Sequence, residues 1–155
     1  MQLEREWQAS SGYAVSTDPA RLDLDVIHAF LTTAYWSPGV PRDVVARSIA
    51  NSLPFGLYAA SGEQVGFARA VTDYAAYAYL ADVFVTERHR GRGLGKFLIA
   101  CVLAHPELQG LRRWALATDD AHGLYRGFGF GPAANPESHM FIERSADELW
   151  ATSPD

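Results

Sequence analysis

An apolar strand pattern, a glycine-rich basic loop and a helical pattern follow one another without a break between residues 77 and 104. This order constrains the fold more than any other feature of the chain. Residues 77–85 (YAYLADVFV) form an apolar run of strand length. The loop TERHRGRG comes next, and from Gly93 to Ala104 apolar residues recur at helical spacing. The glycines therefore lie at the N-terminus of a helix that follows a strand, which predicts an α/β domain with a binding loop at this junction.

The loop concentrates positive charge in a chain that is acidic overall. Residues 88–96 contain four basic side chains, three glycines and no acid, whereas the formal net charge of the whole chain is −5. Unpaired backbone N–H groups and the helix dipole favour an anion at a helix N-terminus, and glycine lets the anion approach the backbone. The pattern indicates a phosphate or pyrophosphate ligand, with a solvated basic turn as the alternative.

Two well-known phosphate loops do not match these residues. A P-loop requires glycine at position 90 and Ser or Thr at position 97, where the chain has Arg90 and Phe97. A dinucleotide fingerprint that begins at Gly91 requires glycine where the chain has Lys96. A nucleic-acid surface is not expected either, because the positive charge is confined to one loop.

Hydrophobic spacing over the rest of the chain indicates one domain that covers residues 1–155. Besides the helix after the loop, the pattern predicts three helices, over 23–35, 41–51 and 120–128. It predicts strands over 54–60, 64–72, 77–85, 112–118 and 139–144. One more strand is expected near the N-terminus.

Cysteine content and hydropathy restrict the chemistry and the compartment. The single cysteine, Cys101, falls within an apolar helical pattern, so neither an internal disulfide nor a multi-cysteine metal site is expected. The five histidines show no metal-binding spacing, so no metal is predicted. The N-terminus lacks the apolar core of a signal peptide, and no apolar run approaches membrane-spanning length. We therefore expect a cytoplasmic protein that acts neither at a membrane nor on nucleic acid.

Two motifs within about residues 20 to 145 resemble those of a known enzyme family. The run VFVTERHRGRGLGKFLI resembles the acyl-CoA-binding motif of the GNAT superfamily of N-acetyltransferases, Q/R-x-x-G-x-G/A after a strand. The matching residues are Arg90, Gly93 and Gly95. Downstream, TDDAHGLYRGFGF is similar to the second family motif, N-x-x-A-x-x-x-Y-x-x-x-G-F. The residues at its positions are Ala121, Tyr125, Gly129 and Phe130, with Thr118 at the family's usual asparagine.

This resemblance implies a mixed, mostly antiparallel sheet of six to seven strands flanked by about four helices. The fourth and fifth strands would splay apart, and the pantetheine arm of acetyl-CoA, the co-substrate, would enter the gap between them. Backbone amides of the loop would hold the CoA pyrophosphate, and the strand before the loop would pair with the pantetheine amides. The implied cofactor-binding residues are Val83, Val85, Arg90, Gly91, Arg92, Gly93, Leu94, Gly95 and Lys96.

The resemblance also implies direct acetyl transfer. A neutral amine attacks the thioester carbonyl, an oxyanion forms near the N–H of Val85, and CoA leaves as a thiolate that benefits from a proton. The motif makes Tyr125 the implied acid, although composition alone would favour a tyrosine whose ring packs in the core. These roles follow from the family motif and not from spacing.

The base that takes the amine's proton has several candidates. Asp82 is an acid in an otherwise apolar strand, so it is either paired in the core or part of a site. A water chain to Asp73, Tyr79 or solvent is the alternative. Strict strand alternation puts side chains 79, 81 and 83 on one face of the sheet, and Leu80, Asp82 and Phe84 on the other.

An acceptor pocket is expected from the loop between the first two helices and from the turn before residues 77–85. The candidates are Tyr35, Trp36, Ser37, Arg42, Tyr74, Tyr77 and Tyr79. The aromatic residues fit a lid over a pocket or a subunit contact in a homodimer equally well. We expect a small-molecule primary amine as the acceptor, in a ternary complex with acetyl-CoA. The alternatives are a protein or peptide N-acetyltransferase and a CoA-binding regulatory module without turnover.

Overall fold

The computed structural model describes residues 4–150, which form one six-stranded sheet whose strands lie side by side in chain order. Neighbouring strands are antiparallel except for the last pair, which is parallel. The predicted mixed, mostly antiparallel sheet is therefore confirmed, and the N-terminus contributes two strands instead of one. The strands are β1 (Glu6–Gln8), β2 (Ala14–Ser16), β3 (Leu53–Tyr58), β4 (Gln64–Thr72), β5 (Tyr77–Val85) and β6 (Arg113–Ala115).

Five α-helices accompany the sheet in the described part of the chain: α1 (Leu24–Leu31), α2 (Arg42–Ala50), α3 (Leu94–Ala104), α4 (His122–Arg126) and α5 (Ala146–Trp150). Asp23 caps α1 by accepting a hydrogen bond from the Val26 N–H at 3.2 Å. The helix ends at Leu31, earlier than predicted, because the chain turns there. The buried Ser37 hydroxyl donates to the Leu31 carbonyl at 2.7 Å and ties this turn down. None of these helices is long and apolar enough to cross a membrane.

Two apolar clusters lie on opposite faces of the sheet. The main cluster joins strand residues such as Phe55 to α3 residues such as Leu98, and α4 also packs against it. The second cluster packs α1 and α2 against Phe67 of β4 and Phe84 of β5. Each fully buried side chain of this size contributes about 1.5–3 kcal/mol to folding. The sheet therefore separates the face that carries α1 and α2 from the face that carries α3 and the loop before it.

The ladder between β4 and β5 contains a β-bulge. Between the pairs Phe67–Phe84 and Arg69–Ala81, β5 has one residue more than β4. Asp82 lies in the bulge with φ of 58°, in the left-handed region that side-chain-bearing residues rarely adopt. The extra residue breaks the regular alternation of the strand at the position of the candidate base.

The bulge overturns the predicted grouping of side chains along β5. Leu80 packs in the main cluster and so does Val83, whereas Phe84 packs in the second cluster. The expectation that Leu80, Asp82 and Phe84 share one face is therefore wrong, because an extra residue shifts a period of two by one. Asp82 contacts Trp36 and therefore lies, like Phe84, on the face that carries α1 and α2. Leu80 lies on the opposite face.

Strands β5 and β6 part after a short contact. They pair only where Tyr77–Tyr79 lies beside Arg113–Ala115, and β5 then continues to Val85 without β6. The expected splayed pair is confirmed, and the two strands are fifth and sixth in chain order because the N-terminus adds a hairpin. The strand predicted over 112–118 ends at Ala115, because its pairing with β5 ends there.

The strand predicted over residues 139–144 does not form. This segment has no regular structure, and its apolar side chains are exposed. A strand needs a neighbouring edge to pair with, and within residues 4–150 the segment pairs with none. The apolar run is present, but it does not pair with any strand edge of the described chain.

Candidate active site

The basic glycine loop ends in an uncapped helix N-terminus. Gly93 is the N-cap of α3 with φ of 74°, and no side chain in residues 4–150 caps this helix. The first intrahelical bond runs from the Phe97 N–H to the Gly93 carbonyl at 3.1 Å. The N–H groups of the first turn are therefore open to a ligand, as a pyrophosphate cradle requires.

The glycines leave open space at the loop surface. A β-carbon at Gly91 or Gly93 would meet no protein atom within 4 Å, and one at Gly95 would meet only the Leu124 Cδ2 at 3.9 Å. The side chain of Leu94 is buried in the main cluster, so this residue offers only its backbone. The described residues thus present backbone amides beneath an unobstructed surface.

The basic side chains of the loop have different roles. The Arg90 Nε donates to the carbonyl of Val85 at 3.0 Å, which ties the loop to the end of β5. The Arg92 guanidinium contacts the Tyr13 hydroxyl at 3.4 Å, and Lys96 is exposed on the first turn of α3. Arg92 and Lys96 therefore leave positive charge beside the open amides.

The free stretch of β5 lies next to this loop. Beyond Tyr79 the edge that faced β6 has no partner strand among the described residues. The side chains of Val83 and Val85 pack against the main cluster, so the backbone of this stretch remains for a ligand. An extended amide-containing chain can add to such an edge.

Tyr125 lies in α4 with only 9% of its surface exposed, and its ring packs edge-on against Phe130 at 5.8 Å between centroids. Burial raises the pKa of the Tyr125 phenol, and the nearby Tyr35 and Asp120 raise it further. The phenol is therefore protonated at neutral pH and can act as a proton donor.

Thr118 occupies the position of the usual family asparagine and organises the start of α4. Its hydroxyl accepts a hydrogen bond from the Ala121 N–H at 3.1 Å. Ala121 is the N-cap of α4, and the hydroxyl caps the turn that leads into the helix.

Two aromatic residues of the loop between α1 and α2 reach across to the candidate catalytic elements. The Tyr35 hydroxyl accepts from the Asp119 N–H at 2.9 Å and contacts the Asp120 carboxylate at 3.5 Å, just before α4. The Trp36 Nε1 donates to the Asp82 Oδ1 at 3.1 Å. The two rings also pack edge to face at 5.0 Å. This loop therefore bridges β5 and the start of α4.

Asp82 is held by a second partner that the sequence analysis did not single out. The Arg69 Nε donates to the Asp82 Oδ2 at 2.7 Å, and the Arg69 guanidinium also donates to the Ser52 hydroxyl at 3.0 Å. The side chains of Arg69 and Asp82 are only 18% and 14% exposed. An arginine inside the apolar run QVGFARAVT was the available signal, equivalent to the acid in LADVFV.

Tyr79 lies on β5 near this ion pair. Burial raises the pKa of its phenol, and the neighbouring Tyr77 and Asp82 add to the shift. Asp73, the other predicted end of a water chain, accepts from the backbone N–H groups of Ala75, Ala76 and Tyr77, which lower its pKa. Asp73 is thus engaged in the turn before β5.

The remaining acceptor candidates are spread more widely. The Arg42 guanidinium forms an exposed ion pair with Asp25 between the first turns of α2 and α1. Ser37 is committed to the end of α1, and Tyr74 holds a left-handed turn with φ of 60° while its ring packs against the main cluster. Tyr77 is exposed. The contacts thus link Tyr35 and Trp36 to the catalytic candidates, but none links Arg42 or Ser37 to them.

No group of three or more His, Cys, Asp or Glu side chains within residues 4–150 is arranged to hold a metal ion. The features that the site does contain are an anion cradle, a free strand edge, a protonated phenol and a bridging aromatic loop. Together the cradle and the free edge can bind a phosphate-bearing chain along β5.

Comparisons with known proteins agree with this geometry. The model of the Acetyltransferase (GNAT) family matches residues 23–130. FG08082 of Gibberella zeae, provisionally assigned as an acetyltransferase, is 33% identical over 135 residues, which cover 73% of this chain and 75% of that protein.

Solved structures extend the comparison. A crystal structure from Xanthomonas campestris pv. campestris, of a protein provisionally assigned as a GNAT acetyltransferase, has 48% sequence identity and a TM-score of 0.86. The match covers 90% of this chain and 97% of that one. N-acetylglutamate synthase from Neisseria gonorrhoeae, complexed with coenzyme A and N-acetyl-glutamate, shares the fold at 19% identity and a TM-score of 0.60, over 88% of this chain and 30% of that one. With a family model that spans most of the chain and both motifs at the predicted junctions, this protein belongs to the GNAT acetyltransferase family.

Proposed function

We propose that this acetyltransferase moves the acetyl group of acetyl-CoA to a primary amine of a small molecule, by direct attack in a ternary complex. The observation that carries the acceptor class is the bridging loop, in which Tyr35 contacts the start of α4 and Trp36 contacts β5. In this proposal a loop fastened at both sides of the gap would close over the acceptor, whereas a peptide substrate needs an open groove. A compact amine would fit beneath such a loop.

Acetyl-CoA would bind through backbone groups. The first-turn N–H groups of α3 would hold the pyrophosphate, with Arg92 and Lys96 adding charge, and Val83 and Val85 would pair with the pantetheine arm through their backbone. The open surface above Gly91 and Gly93 supports this assignment. The residues present fit the ligand because the cradle consists of amides that nothing in the described chain caps.

Acetyl transfer would then require two proton transfers, one to the departing sulfur and one from the amine nitrogen. The amine nitrogen forms a bond to the thioester carbonyl carbon, and the C–S bond breaks as the oxyanion collapses. The departing sulfur takes the proton of the Tyr125 phenol, and the new amide loses one proton from its nitrogen. Solvent or a base returns a proton to Tyr125.

Asp82 remains a candidate for the base, but its contacts favour another role. Both carboxylate oxygens are engaged, one by Arg69 and one by Trp36. We therefore propose that Asp82 mainly orients Trp36 over the acceptor, and that water beside Tyr79 removes the amine proton.

A turnover screen tests this function. Purified protein is assayed with acetyl-CoA against amino acids, polyamines, arylamines, aminoglycosides and peptides, and the release of the CoA thiol is followed. We expect turnover with one class of small amines and none with peptides. Turnover with peptides alone would favour the protein-acetylating alternative, and CoA binding without any turnover would favour the regulatory module. The Tyr125→Phe variant is the matched control for background hydrolysis.

A further inference from the structure

The hydroxyl of Tyr13 connects the N-terminal hairpin to the basic glycine loop. Tyr13 lies between β1 and β2, where its carbonyl accepts a hydrogen bond from the Ala9 N–H at 2.8 Å, and only 8% of its surface is exposed. Its hydroxyl lies 2.9 Å from the His89 Nδ1 and 3.4 Å from the Arg92 guanidinium. A residue 76 and 79 positions away in sequence therefore contacts the loop on both sides of Gly91.

The packing around Tyr13 holds this hydroxyl in place. Tyr13 is buried in the main cluster together with Leu94, the first residue of α3. His89 ends a short 3₁₀ helix after β5, and its N–H donates to the Thr86 carbonyl at 2.9 Å. The rings of Tyr13 and His89 pack edge to face with their centroids 5.8 Å apart. The hydroxyl is thus a fixed polar group beside an otherwise open loop.

Donor and acceptor chemistry gives the contact a direction. A guanidinium donates and does not accept, so the Tyr13 oxygen accepts from Arg92. The single hydroxyl hydrogen can then be donated to the His89 Nδ1, which accepts it when the imidazole is neutral and carries its own hydrogen on Nε2. His89 therefore orients the hydroxyl so that its oxygen is presented to Arg92.

Arg92 is the group whose freedom this contact restricts. It is exposed, and it forms no ion pair with any residue in the range 4–150, so its charge is available to an anion. A long side chain in solvent samples many rotamers, and fixing one of them on ligand binding costs entropy. A hydrogen bond to a buried hydroxyl restricts the rotamers before the ligand arrives and lowers that cost.

We propose that Tyr13 is a positioning residue that holds the Arg92 guanidinium beside the open N–H groups of α3, where it meets the phosphates of acetyl-CoA. An arginine held in this way can bind a phosphate bidentately, which adds geometric specificity to charge. Tyr13 acts on the ligand through Arg92. The inference rests on the proposed binding of acetyl-CoA, and it adds a residue that lies outside both family motifs.

Calorimetric titration with CoA tests this role in Tyr13→Phe, which keeps the ring and its packing. Loss of the hydroxyl should raise the Kd for CoA about 3- to 10-fold. The matched control is Tyr58→Phe, because Tyr58 of β3 pairs with Ala14 and its buried hydroxyl has no hydrogen-bond partner within residues 4–150. This control should keep the wild-type affinity. Wild-type affinity in Tyr13→Phe, or an equal loss in both variants, overturns the proposal.

Combination with Arg92→Met distinguishes positioning of the guanidinium from general support of the loop. Arg92→Met keeps an apolar stem but removes the charge, and it should weaken CoA binding at least about tenfold. In that background Tyr13→Phe should have no further effect, because the hydroxyl no longer has a guanidinium to hold. The same loss from Tyr13→Phe in both backgrounds would mean that the hydroxyl supports only the loop backbone, and would overturn the proposal.

Two other outcomes of the same titrations separate this inference from the proposed function. Unchanged CoA affinity in Arg92→Met overturns the role of Tyr13 and leaves the cradle of backbone amides intact. A wild-type protein that binds no CoA contradicts the proposed function, and the role of Tyr13 is then overturned with it.

Nitrogen-15 NMR of the imidazole rings measures the direction of the Tyr13–His89 bond. With the ring neutral, we expect the His89 hydrogen on Nε2 and an unprotonated Nδ1. The preference for this tautomer should weaken in Tyr13→Phe, which lacks the donor, and should persist in Tyr58→Phe. A hydrogen on Nδ1 in the wild-type protein would leave the hydroxyl without an acceptor to orient it, and would overturn the proposed arrangement.

Discussion

At the scale of single residues, Tyr125 combines two properties that a proton donor needs. It is buried enough to remain protonated, and its neighbours Tyr35 and Asp120 raise its pKa in the same direction as burial. Tyr125→Phe keeps the ring and its packing, so stability and acetyl-CoA affinity should change little. We expect kcat to fall by about 10²- to 10⁴-fold if proton delivery occurs in the transition state.

The control for this variant removes a phenol elsewhere. Tyr74→Phe deletes a hydroxyl in the turn before β5 and should keep the wild-type kcat. Both are measured by single-turnover kinetics so that product release does not hide the chemical step. A Tyr125→Phe protein with wild-type kcat would contradict the role of acid, and a rise confined to the KM for acetyl-CoA would make Tyr125 a binding residue.

The Arg69–Asp82 pair allows a prediction about stability. Asp82→Asn leaves the mostly buried guanidinium of Arg69 without its counter-charge, which should lower the free energy of unfolding by about 3 kcal/mol. The double variant Arg69→Met with Asp82→Asn removes both charges, keeps at position 82 a residue type that tolerates the left-handed φ, and should recover most of that loss. Urea denaturation measures both variants. An Asp82→Asn protein of wild-type stability whose kcat collapses would instead identify Asp82 as the base.

A variant of Trp36 distinguishes a role in positioning the acceptor amine from a role in proton transfer. Trp36→Phe keeps an aromatic ring but removes the N–H that Asp82 accepts. If the ring positions the acceptor, the KM for the amine should rise about tenfold while kcat changes little. Initial-rate kinetics on the amine found in the screen decide this point. An unchanged KM would show that the loop does not line the acceptor pocket.

At the scale of elements, the sequence predicted best the strands that are bounded by turns. The bounds of β4 and β5 agree with the expected ranges 64–72 and 77–85, because polar turns flank both apolar runs. The bulge at Asp82 could not be foreseen, since it depends on how many residues the neighbouring strand supplies. The segment 139–144 contains an apolar run of strand length, but a strand must also lie against the edge of another strand, and no local pattern reveals whether it does.

In the candidate site, too, the sequence indicated the residues of contiguous motifs and not those whose role depends on a contact with another strand. The loop and Tyr125 belong to contiguous motifs, so the sequence alone could name them as candidates. Arg69 was missed because its importance arises from a cross-strand contact with Asp82. Arg42 was included because it follows the aromatic loop in sequence, but its charge is paired with Asp25 on the surface.

The N-terminus of α3 gives a prediction about the cradle. Gly95 is helical, and a β-carbon there would meet only the Leu124 Cδ2, at 3.9 Å, so we expect Gly95→Val to fold normally. A branched side chain in the first turn of α3 should crowd the open amides and weaken CoA binding at least about tenfold, or 1.4 kcal/mol. Calorimetric titration measures the affinity, and Ala100→Val, on an exposed position of the same helix, is the control. Unchanged affinity in Gly95→Val would refute the cradle.

At the scale of the whole molecule, buried acids predict how stability responds to alkaline pH. Burial raises the pKa of Cys101 from 9.0 to about 12 and that of Tyr58 from 10.0 to about 12. The unfolded chain therefore loses these protons first, and the free energy of unfolding should fall between about pH 9 and pH 12. Scanning calorimetry should show a Tm that falls above pH 9, and Cys101→Ala should delay this fall to about pH 10. A Tm that stays level up to pH 11 would contradict the prediction.

Ligand linkage tests the assembled cofactor site in the intact protein. CoA would bind only the folded chain, so a concentration of 100 times Kd should add about 2.7 kcal/mol to the free energy of unfolding. For a domain of this size that corresponds to a rise in Tm of about 5–11 °C.

Pantetheine lacks the pyrophosphate that the α3 amides would hold, and NAD and ATP lack the arm that would follow β5, so each should raise the Tm much less at the same concentration. Differential scanning fluorimetry compares the four ligands, with Gly95→Val as the protein that should lose the response to CoA. A rise in Tm with pantetheine equal to that with CoA would contradict the assignment of the α3 amides to the pyrophosphate. A larger rise in Tm with NAD than with CoA would contradict the assignment of the free β5 edge to a pantetheine arm.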